Sequence, residues 1–114
     1  VTEVQVPAPK AGTKQIFLKF AERKAIDFAI SSVAATVVVA GGTVSDARII
    51  LGGVAPIPYR ATTAEDLIKG KAINAENADG AGVEAVRRAI AQSKNRYKIQ
   101  ITKTMVKRAL LALQ

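Results

Sequence analysis

The 114-residue sequence contains neither cysteine nor histidine. Their absence excludes disulfides, thiolate nucleophiles, Cys/His zinc sites, cysteine-held iron–sulfur clusters and an imidazole base. Aromatic residues make up only 4% of the chain, so the core is built from Val, Ile, Leu and Ala. Such a core suits thin layers of sheet and helix. No run approaches the roughly 18 consecutive apolar residues that a membrane span needs, and the N-terminus lacks the charged-then-apolar pattern of a secretory signal. The expected location is therefore cytoplasmic, with no membrane partner. Acidic residues are missing from the whole segment after Glu84.

The residues present are those of an ordinary globular chain, 49% hydrophobic and 23% charged, and the length fits one domain over residues 1–114. Its net charge of +8 is uneven, because Arg87, Arg88, Lys94, Arg96, Lys98, Lys103, Lys107 and Arg108 follow Glu84 unopposed. A basic end of this kind attracts nucleic acid, an acidic protein partner or an anionic cofactor, and charge alone does not choose among them. Only Tyr97 offers a stacking surface among these cations and no nucleic-acid motif is present, which places that reading last. The nine acids are scattered. Glu65 and Asp66 are adjacent, but neighbours on a helix point apart, and both read as first-turn acids favoured by the helix dipole. No catalytic or metal-ligating set is assigned.

Val1–Val6 alternates apolar and polar residues, as a short strand does, and Pro7, Pro9 and Gly12 end it. The abrupt start without methionine reads as a piece cut from something longer. Thr13–Lys19 forms a second alternation with Ile16 and Leu18 on one side, and Phe28–Val39 reads as a strand covered on both faces. Gly41-Gly42 supplies a tight hairpin, after which Val44–Leu51 returns antiparallel with Ala47, Ile49 and Leu51 facing one way. Gly52-Gly53 marks a strand-end kink, and Pro56 and Pro58 stiffen the loop that follows. Thr63, three residues before Asp66, suggests the start of a short helix over Ala64–Lys69, stopped at Gly70. Val83, Val86, Ala89 and Ile90 mark a second helix. Ile101, Met105, Val106, Ala109, Leu110 and Leu113 mark a third, with Lys103, Lys107 and Arg108 on its solvated face. Strands first and helices after predict an α+β fold, an antiparallel sheet with helices on one face. Lys19, Arg23 and Lys24 cluster where the Thr13–Lys19 strand ends. They read either as a solvated strand end or as an anion-facing edge.

The stretch Phe17-Leu18-Lys19-Phe20-Ala21-Glu22-Arg23-Lys24-Ala25-Ile26-Asp27-Phe28-Ala29 resembles the C-terminal domain of the flavoprotein (medium) subunits of carbon monoxide dehydrogenase, xanthine dehydrogenase and their relatives. That family places Lys, Arg and Asp at four-residue intervals, as in Lys19, Arg23 and Asp27. Val44–Ala61, with Arg48-Ile49-Ile50-Leu51-Gly52-Gly53-Val54-Ala55, Pro58 and Arg60-Ala61, is similar to a second family run, continued by Glu65 and Leu67. Tyr97-Lys98 before a basic amphipathic helix is similar to a third.

The resemblance implies a three- or four-stranded antiparallel sheet with about three helices. It also implies an oxidoreductase in which molybdenum and iron–sulfur subunits or domains deliver electrons to FAD, which passes them to NAD, quinone, dioxygen or another acceptor. The family holds FAD mainly in an N-terminal FAD-binding domain, and nothing in this sequence resembles that domain. This chain would then be an accessory part of a flavin site, not catalytic alone. Carried over, Lys19 lies beside the isoalloxazine ring and Arg23 near it, as cofactor-binding residues, while Asp27 has the structural role of pairing with a neighbouring cation. A basic docking module for a protein partner remains the alternative.

Overall fold

The computed structural model describes residues 1–24 and 26–114. Four strands form one antiparallel sheet in sequence order: β1 (Thr13–Phe20), β2 (Ser31–Ala40), β3 (Thr43–Gly52) and β4 (Tyr59–Arg60). Three helices follow, α1 (Thr62–Ile68), α2 (Ala75–Ala85) and α3 (Tyr97–Leu111). This is the α+β architecture read from the sequence.

β2 and β3 meet across Gly41 and Gly42, whose φ values of 57° and 78° lie in the left-handed region that glycine enters without strain. Val33 pairs with Leu51 and Ala35 with Ile49, so the alternate residues of both strands project toward the helices and are buried. The register slips between Val38, opposite Asp46, and Val39, opposite Val44. Ser45 is the extra residue of this bulge and donates to the Val38 carbonyl at 3.0 Å. As a result Val44 and Ala47, three apart, both face the core.

The core lies between this sheet face and the helices, with Val33, Val37, Ile49 and Leu51 meeting Ile68, Ala81, Val106 and Leu110. Each large aliphatic side chain buried there contributes about 1.5–3 kcal/mol. Helix α2 approaches α3 on small residues: a Cβ added to Gly82 would lie 2.7 Å from the Lys103 carbonyl oxygen. The buried positions of α2 are Ala78, Ala81, Gly82 and Ala85.

Several expectations are corrected. Residues 1–10 form no strand, because alternation supplies faces but no described neighbour offers a ladder to join. β2 begins at Ser31 and is covered on one face, its other face carrying the exposed Ala34. Thr63 does not cap α1. Ala61 stands at the helix start without a side-chain bond, and the Thr63 hydroxyl donates to the Glu84 carbonyl at 3.0 Å. The second helix begins at Ala75, where Asn74 accepts the Asn77 N–H at 2.8 Å, and it ends before Val86. Val83, expected on its buried face, is exposed because the packed positions are taken by Ala and Gly, and Ile90 lies beyond the end of the helix and is exposed. Glu65 is not a solvated first-turn acid but a buried one. Lys103 and Lys107 are not free in solvent either: both pair with Asp79, at 3.6 and 2.9 Å, joining α3 to α2.

Candidate functional site

Lys19 stands on the outer side of β1, one residue before the strand ends, while Leu18 packs against the core. From Phe20 the chain loops back to β2, and the loop closes where the Ile30 N–H donates to the Phe20 carbonyl at 2.8 Å. Asp27 organises this loop. Its carboxylate accepts Arg23 Nε at 3.2 Å and the Phe28 N–H at 3.0 Å, and its backbone carbonyl accepts the Lys19 ammonium.

Lys19 and Arg23, which the sequence already clusters at the strand end, are thus brought onto one residue, Asp27. The Arg23 hydrogen bond holds the Asp27 carboxyl below its ordinary range, partial desolvation opposes this, and the Phe28 N–H adds to the lowering. Asp27 is therefore an anion at neutral pH. Arg23 turns its Nε–Nη2 edge to the Asp27 carboxylate, while its side chain is 75% exposed. The Lys19 ammonium carries three donors and gives one to the Asp27 carbonyl.

Reading the sequence missed the apolar half of this surface. The chain has three phenylalanines, and all of them, Phe17, Phe20 and Phe28, lie in this stretch at 64%, 43% and 95% exposure. Ile26 is fully exposed beside them. Phe17 shares the outer side of β1 with Lys19, whereas Phe20 falls on the side of Leu18. The signal was present in the sequence as Phe17-x-x-Phe20 among cations.

Residues 16–113 match the family described as the CO dehydrogenase flavoprotein C-terminal domain. The chain belongs to that family. The match takes in Lys19, Arg23 and Asp27, and every helix of the domain. Among solved structures the chain is similar to carbon monoxide dehydrogenase from Hydrogenophaga pseudoflava lacking the Mo-pyranopterin moiety of the molybdenum cofactor. That match has 37% identity and a TM-score of 0.84 and covers 94% of this chain and 38% of the other. Quinoline 2-oxidoreductase from Pseudomonas putida 86 matches at 28% identity and TM-score 0.83, covering 94% of this chain and 38% of the other. The glyceraldehyde dehydrogenase medium chain of Sulfolobus acidocaldarius is 35% identical over 74 residues, which are 65% of this chain and 26% of that protein. This CO dehydrogenase flavoprotein C-terminal domain therefore spans well under half the length of the relatives it matches.

Proposed function

We propose that the chain serves as the C-terminal domain of a flavoprotein subunit in a cytoplasmic molybdenum hydroxylase, on the path by which electrons pass through FAD to an acceptor. The family match over residues 16–113 carries this reading. The cations at the end of β1, Lys19 and Arg23 gathered on Asp27, support it independently. The partners are an N-terminal FAD-binding domain, which shares the cofactor, and the molybdenum and iron–sulfur subunits or domains. FAD supplies the acceptance and release of electrons when bound. The chain alone carries no catalysis.

In this reading Lys19 and Arg23 are the cofactor-facing residues. Lys19 places positive charge near the ring and so favours the reduced, anionic form, while Asp27 orients both cations. The test is the flavin midpoint potential of the intact flavin-containing subunit. Lys19→Ala should lower it by about 20–30 mV, the two-electron equivalent of losing roughly 1 kcal/mol of charge stabilisation, with folding unchanged. An unchanged potential overturns the assignment of Lys19.

A further inference from the structure

On the helical side of the sheet a cavity of about 460 Å³ opens to solvent beyond the end of β3. Leu51, Val54, Tyr59, Val86, Ile90 and Ile99 wall it, drawn from the sheet, the loop after β3, the segment after α2 and the start of α3. Its volume lies within the roughly 300–1,000 Å³ that small-molecule sites occupy. Two cations, Arg88 and Lys98, stand in the lining, and no acidic residue does. Lys98 gives one donor to the Gly53 carbonyl at 2.7 Å, leaving two. Arg87 pairs with Glu84 at 3.4 Å, whereas the exposed Arg88 makes no ion pair among the described residues. Thr102 lies in the lining with its hydroxyl engaged by Ser31 at 2.8 Å, so that part of the wall offers no free donor.

We propose that this cavity binds a small carboxylic acid, its apolar body against Leu51, Val54 and Ile99 and its carboxylate met by Arg88 and Lys98. Three observations select that chemistry. The wall is mostly aliphatic, so the body of the ligand is apolar. Its charged groups are cations only, and no acid follows Glu84 to neutralise them, so the head is anionic. Converging walls from four segments make a concave site, which suits a small molecule better than the flat face of a protein partner. The inference uses neither Lys19 nor Arg23 and does not depend on the flavin reading.

The probe is 4-phenylbutyrate, titrated into the purified chain and followed by NMR of the methyl groups of Leu51, Val54, Val86, Ile90 and Ile99. Saturable shifts confined to these methyls are expected, with the uncharged amide of the same acid binding about tenfold more weakly. Arg88→Glu should weaken the acid by about tenfold or more and leave the amide unchanged. Ala89→Trp, which fills the mouth from an exposed position, should abolish both. Equal binding of acid and amide, shifts that never saturate, or an Arg88→Glu variant that binds as wild type overturns the proposal. So does an acidic peptide that binds these methyls more tightly than the small acid, which would make the surface a docking site. Because Arg88 and Ala89 are exposed, unchanged thermal melting shows that each variant still folds.

Discussion

The Glu65 carboxylate accepts the Ile49 backbone N–H at 2.9 Å and, on both oxygens, the Arg60 guanidinium at 2.8–3.1 Å. One buried acid from the first helix thus holds a central strand and the end of the Pro56–Pro58 loop together. Glu65→Ala leaves the Ile49 N–H without its acceptor inside the domain and should cost roughly 2 kcal/mol. Arg60→Ala should also destabilise, because it leaves the buried Glu65 carboxylate without its counter-charge. Denaturant unfolding of the two variants measures both; a Glu65→Ala protein as stable as wild type would refute the role of the clip.

The same group sets a pH dependence. Burial alone would raise the Glu65 pKa, but the Arg60 hydrogen bonds, the Ile49 N–H and the Arg60 charge outweigh it and hold the carboxyl below its ordinary 4.5. A carboxyl depressed in the folded state contributes stability that is complete above the unfolded value and is lost as pH falls through the folded one. The stability gap between wild type and Glu65→Gln should therefore be constant at neutral pH and narrow below about 4.5. A gap that is flat into acid, followed by chemical denaturation across pH, would contradict this.

Two glycines of α2 separate helix propensity from packing. A Cβ on Gly80 would meet only the Leu67 methyls at 3.6 and 3.7 Å, so Gly80→Ala should stabilise by about 0.5–1 kcal/mol. A Cβ on Gly82 would press on the Lys103 carbonyl oxygen at 2.7 Å, which is backbone and cannot swing away. Gly82→Ala should therefore destabilise by about 1–3 kcal/mol in spite of its better propensity. Opposite signs in the thermal midpoints of the two variants are the expected result.

The chain should fold without flavin. Its core closes between one sheet face and three helices, and no buried side-chain nitrogen or oxygen among the described residues lacks a partner. Cooperative thermal unfolding of the purified chain, with the same midpoint in the presence and absence of FAD, is the expected outcome. A protein that gains structure only when FAD is added would show that the cofactor completes the core.

The first strand, the β2–β3 hairpin and the last helix were legible in the sequence, whereas β4 lies where the sequence reads as a stiff loop. Gly41-Gly42 permits a tight reversal between two apolar runs, the two-residue alternation of Ala47, Ile49 and Leu51 sets which face is buried, and the spacing from Ile101 to Leu113 sets a helical stripe. The sequence also held the Lys19, Arg23 and Asp27 spacing that points to the family. Tertiary structure alone decided the rest, because those features depend on partners distant along the chain. Glu65 is indistinguishable from a solvated acid until Ile49, sixteen residues away, presents its N–H. The buried face of α2 is made of Ala and Gly because α3 lies against its backbone, and hydropathy gives such residues little weight. The alternation of Val1–Val6 came to nothing for the same reason: a strand exists only when a neighbour supplies the other half of its hydrogen bonds.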